Sequence, residues 1–178
     1  MAEHISEIDA LLAPLAGAYA LDVHVPGYLE RDENPPRFCA VPRAVYVELE
    51  EGFLQIDEVE DQGQLKIGLV AAFGRPEALK DIDDEFVLAS YGQPFLAEAY
   101  PKFRITGARY IANDGSDPSS GVVRCIEFIF ENSLPVFMDP MYYFGIRLGG
   151  AGAYERWLAA DQRNPGPFGP PREFIWSA

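Results

Sequence analysis

Between Val122 and Gly152 the chain reads VVRCIEFIFENSLPVFMDPMYYFGIRLGGAG, and this stretch restricts the fold more than any other. From Val122 to Glu131, one face takes Val122, Ile126, Phe128 and Phe130. The other takes Val123, Cys125 and Ile129 with Glu127 and Glu131. A strand that is apolar on both faces belongs inside a sheet. Glu131-Asn132-Ser133 predicts a turn, and Leu134–Met138 predicts a second strand. Pro135 cannot donate to a ladder, so it belongs at an edge or at the first position of its strand. Asp139-Pro140 predicts another turn. Tyr142, Phe144, Ile146 and Leu148 then alternate with Tyr143, Gly145 and Arg147, the pattern of a half-buried strand.

The same period-two reading extends upstream. Val45, Val47 and Leu49 alternate with Tyr46, Glu48 and Glu50, and Glu51-Gly52 offers a tight turn. Leu54 and Ile56 start the return strand, Gln62-Gly63 turns again, and Leu65, Ile67 and Leu69 follow. Short turns between such runs predict adjacent antiparallel strands. Leu21, Val23 and Val25 predict a short strand ended by Pro26-Gly27, with His24 facing solvent. Residues 31–37 are polar and contain Pro35-Pro36, which predicts an exposed loop. Residues 73–101 read as a connector, with helical turns near Glu77–Lys80 and Phe95–Tyr100 and a short strand at Phe86–Leu88. Lys102–Ala112 alternates again, and the turn-rich segment 113–121 joins it to Val122 as a long hairpin connection.

Helices are predicted at the two ends. Ile5, Ile8, Leu11, Leu12 and Leu15 share one helical stripe, and Pro14 should kink or divide it. Gly149, Gly150 and Gly152 precede a helix over Ala153–Asp161. Glycines ahead of a helix suggest a phosphate loop, yet neither the Walker nor the GxGxxG spacing is present. The glycines are therefore expected to let the chain swing from strand to helix. The expected fold is α+β: a twisted, mostly antiparallel sheet of about six strands with an N-terminal helix and a helix near the C-terminus. Residues 1–163 form its single domain. Residues 164–178, NPGPFGPPREFIWSA, form a Pro/Gly-rich tail, irregular and docked back through its apolar end.

Charge sets the class of partner. The chain of 178 residues carries 14 basic and 28 acidic side chains, a net charge of −14. Phosphate backbones and anionic membranes repel such a surface, so neither nucleic acid nor membrane is an expected partner. A basic protein would be steered towards it. No apolar run reaches the ~20 residues of a membrane span. The first residues carry acids rather than a basic leader segment, which points to the cytoplasm. Cys39 and Cys125 lack zinc or redox spacing. No cofactor motif occurs, and DEVED lacks the glycine and final glutamate of a calcium loop, so no cofactor or metal is expected.

Two candidate sites follow. Glu48, Glu50, Asp57, Glu58, Glu60 and Asp61 crowd two predicted strands and their turns, with Tyr46 as an aromatic anchor among them. This suits a non-catalytic module that binds a basic protein. The profile is that of a bacterial immunity or antitoxin-type protein occluding the basic active site of a cognate toxin. The alternative is a small-molecule site or small enzyme near the sheet-to-helix glycines, using Asp139, Tyr143, Arg147 and Glu127. There Arg147 would clamp a carboxylate or phosphate.

Overall fold

The computed structural model describes residues 7–59, 62–92, 102–141, 144–163, 166 and 168–178. Among these, twelve strands form one open antiparallel sheet, accompanied by two α-helices. The strands are β1 (Tyr19–Glu30), β2 (Arg37–Ala40), β3 (Ala44–Leu49), β4 (Phe53–Val59), β5 (Gln64–Val70) and β6 (Glu85–Ser90). They continue with β7 (Phe103–Ala112), β8 (Val122–Val123), β9 (Cys125–Phe130), β10 (Pro135–Pro140), β11 (Ile146–Gly149) and β12 (Arg172–Ser177). The helices are α1 (Glu7–Leu12) and α2 (Ala153–Arg163). The strand order is β11-β10-β9-β7-β1-β3-β4-β5-β8, with β12 beside β7 and both β2 and β6 beside β1.

The α+β class is as expected, but the sheet has twelve strands rather than about six. Two long strands account for much of the excess. β1 does not stop at Pro26-Gly27; it runs through them for 12 residues. Its first half pairs with β3, and its second half is held by β2 on one side and β6 on the other. Gly27 is required at that crossing. A Cβ there would lie 2.3 Å from the carbonyl oxygen of Cys39 and 2.4 Å from the Phe38 ring.

β7 is the second long strand. It touches β1 only at its start, so its later edge is open to another partner. The C-terminal segment fills it: Arg172–Ser177 pairs along β7 from Ala112 to Gly107. The expected docking therefore occurs through a regular strand, not an irregular tail. Phe174 stacks on Tyr110 with centroids 5.2 Å apart, and Trp176 is buried. Asp139 and Pro140 also stay in a strand, opposite Arg147 and Ile146, so no turn forms there.

Other expectations hold. The β3-β4-β5 meander turns where Glu51-Gly52 and Gln62-Gly63 fall. α1 gives way to a 3-10 turn at Ala13–Leu15, around Pro14. β9 lies between β7 and β10 and is buried on both faces. Pro135 takes the first position of β10. The predicted helical turn at Phe95–Tyr100 lies outside the described residues.

β8 and β9 are separated only by Arg124, yet β8 pairs with β5 and β9 with β7. The chain thus ties the far end of the strand order back towards β9, and the sheet curls over its own inner face. Val45, Val47, Leu54, Ile56 and Ile67 meet Ile105, Tyr110, Ile126, Phe128 and Met138 inside the curl. Ile8, Leu12 and Leu15 join the same core. Each of these larger side chains stabilises the fold by about 1.5–3 kcal/mol through burial. A smaller apolar cluster lies outside the curl, where α2 lays Tyr154 and Trp157 over Ile111, Cys125 and Phe137.

Candidate functional site

Strand alternation divides the acidic meander between two faces. Leu54 and Ile56 point into the curl, so Phe53, Gln55 and Asp57 face outward. On β3, Tyr46 and Glu48 share that outer face. Residues 71–84 cross this face as a strap. Phe73 contacts Tyr46, Phe53 and Phe86 at centroid distances of 6.2, 5.4 and 6.4 Å. The Tyr46 hydroxyl donates to the Gly74 carbonyl at 3.1 Å. Arg75 closes the strap on itself by donating to the carbonyls of Ile82 and Asp84.

Between strap and sheet lies a concavity of about 640 Å³. Tyr46, Gln55 and Asp57 line its sheet side, and Gly74, Arg75, Glu77 and Asp81 line its strap side. Asp57 is half-buried there, and its two oxygens accept from Gln55 Nε2 at 2.9 and 2.7 Å. Burial pushes its carboxyl above the usual range, against the Gln55 hydrogen bond and the charge of Lys66 on β5. Tyr46 is 1% exposed, and its phenol is pushed up to about 12, by burial first and by Asp57 second. It stays a neutral donor at physiological pH.

The other acids are dispersed. Glu48 accepts from His24 Nε2 at 2.7 Å, and Asp22 lies 4.0 Å from the same nitrogen. His24 is therefore 16% exposed and engaged, rather than solvent-facing. Glu50 stands at the opposite end of the hairpin and pairs with Lys102. The Glu58 side chain is 0% exposed and accepts from Arg43 Nη1 at 2.8 Å. Glu60 and Asp61 lie outside the described residues. The structure thus brings Tyr46, Asp57 and Glu58 to one concavity and leaves Glu48 and Glu50 elsewhere.

The alternative residues gather beneath and beside α2. Register places Arg109 opposite Glu127, and Arg109 bridges Glu127 to Glu155. Glu127 is 1% exposed; burial raises its carboxyl and Arg109 opposes that. The Arg109 guanidinium sits 4.0 Å from the Tyr154 ring centre, and the Tyr154 hydroxyl donates to Glu173 at 2.7 Å. Asp139 accepts from Arg124 at 3.2 Å and from Arg147 at 2.8 Å. Its carboxyl too is raised by burial, with both guanidiniums pulling it down. Tyr143 lies outside the described residues.

Sequence reading missed Arg109, Arg124, Arg156 and the strap. Arg109 and Glu127 did carry a signal, as charges inside otherwise apolar strands. Their pairing depends on a register that spacing alone does not fix. Both cysteines are free, and burial raises the Cys125 thiol well above its ordinary value. Among the described residues, no cluster of three or more His, Cys, Asp or Glu side chains is placed to hold a metal ion. No described helix is long and apolar enough to cross a membrane. Searches against protein families, curated protein sequences and solved structures find no match.

Proposed function

We propose that this protein is a non-catalytic binding module for a basic protein partner, and that Asp57 receives a lysine or arginine of that partner. A toxin with a cationic active site, neutralised by occlusion as an immunity protein or antitoxin would do it, is the kind of partner this chemistry fits. One observation carries the reading. Asp57 is a half-buried carboxylate in an open concavity, held by a neutral amide and disfavoured by desolvation. A cation entering from outside would offset the cost of that desolvation by completing an ion pair. Asp81 adds a further acid on the strap side, which Arg75, Glu77 and Lys80 also line. The net charge of −14 steers a basic partner towards the molecule at long range.

The test is capture on the immobilised protein from a lysate of the source cells at low salt, with an Asp57→Asn column in parallel. The expected result is one basic protein retained by the wild-type column, depleted on the variant column and released at about 0.5 M salt, where the Debye length falls below ~5 Å. Equal retention on both columns, or retention of an acidic protein only, would contradict the reading.

A further inference from the structure

We propose that the groove between α2 and the β10–β11 pair is a second binding site, for a small anion carried on an apolar body. The groove holds about 400 Å³ and is walled by Phe137, Arg147, Leu148, Ala153, Arg156 and Trp157. That volume lies at the small-ligand end of the usual range. Its lining contains two guanidiniums and no carboxylate, on a chain whose net charge is −14. A local excess of positive charge on so acidic a protein selects for anions.

The two guanidiniums are held differently. Arg147 projects from β11 and donates through Nη2 to Asp139 at 2.8 Å, while its side chain remains 55% exposed. Asp139 also accepts from Arg124, so two guanidiniums share that one carboxylate. Arg156 stands on α2, where its backbone N–H donates to the Gly152 carbonyl and its charge acts on the neighbouring Glu155, while its exposed guanidinium has no side-chain hydrogen bond among the described residues. An arginine anchored on Asp139 and one whose guanidinium has no side-chain hydrogen bond among the described residues line the same groove and offer several N–H donors to a carboxylate or phosphate.

The rest of the groove is apolar. Phe137 and Trp157 have centroids 6.3 Å apart, and Leu148 and Ala153 extend the wall. Gly149 sets its width. A Cβ at that position would lie 2.5 Å from the Ala153 Cβ, so any larger residue would push α2 off the sheet. The ligand class is therefore an aromatic or aliphatic carboxylate or phosphate monoester. This site shares no lining residue with the Asp57 concavity, so either proposal can fail without the other.

The test uses the indole N–H signals of the 15N-labelled protein. The chain has two tryptophans, and the Trp157→Phe variant assigns the Trp157 signal. Phenyl phosphate, benzoate, inorganic phosphate and benzyl alcohol are titrated in turn. Phenyl phosphate or benzoate is expected to shift the Trp157 signal saturably, the tighter of the two identifying the preferred anion. Benzyl alcohol and inorganic phosphate are expected to bind at least about ten-fold more weakly. Arg156→Gln, an exposed change that leaves the remaining spectrum in place, is expected to raise Kd about ten-fold or more. An unchanged Kd in Arg156→Gln, or benzyl alcohol binding as tightly as either aromatic anion, would overturn the site. So would the absence of any saturable shift up to ~10 mM aromatic anion.

Discussion

Asp57 takes its hydrogen bonds from Gln55 on the same strand, and Lys66 across the ladder contributes only its field. The fold therefore carries a carboxylate it has partly desolvated without giving it a close cation. The consequence for stability has a definite sign. A carboxyl whose folded pKa is raised stabilises the folded state most at low pH, and that contribution is lost as pH rises through the folded value. Replacing Asp57 by Asn removes the ionisation. The variant is expected to melt at a higher temperature than wild type at pH 7, the difference shrinking towards zero below about pH 4. Thermal melts across pH 3–8 measure this. Glu58 differs although it lines the same concavity, because Arg43 already neutralises it at 2.8 Å. A stabilising substitution that abolishes binding would mark Asp57 as a residue kept for function.

The elements show which parts of the fold could be read from sequence and which could not. β3, β4 and β5 were legible because their apolar residues alternate and their turns carry glycine. α2 was legible because Tyr154 and Trp157 fall on one helical side. β1 was misread at Pro26-Gly27, since a turn signal is local and the strands that override it, β2 and β6, come from elsewhere. Substituting alanine at Gly27 puts a methyl group onto a backbone carbonyl that cannot move without breaking the β1–β2 ladder. Chemical denaturation of Gly27→Ala is expected to show a loss of about 1–3 kcal/mol. The strap was invisible for the same reason. Phe73 is an ordinary loop aromatic until the sheet places Tyr46, Phe53 and Phe86 around it. Of the candidate site, the sequence places Tyr46 and Asp57 on neighbouring strands, whereas their shared face and the strap that makes their concavity come only from register and tertiary structure.

For the whole molecule, the curl of the sheet separates two kinds of surface. Its inner face is a closed apolar core. Its outer face carries the Asp57 concavity on β3–β4 and the arginine-lined groove beside α2. The density of acids along residues 48–61 was readable, but their distribution was not. Glu48 and Glu50 are engaged by His24 and Lys102, and Asp57 is left facing the concavity. Binding to a basic partner should therefore depend on one position more than on total charge. The measurement that bears most directly on this is the affinity of wild type and Asp57→Asn for the captured partner at about 50 and about 500 mM salt. The expected outcome is a wild-type affinity that weakens steeply with salt, and a variant at least about ten-fold weaker at low salt with a shallower dependence. Equal affinities for the two proteins, or a wild-type affinity indifferent to salt, would contradict the account.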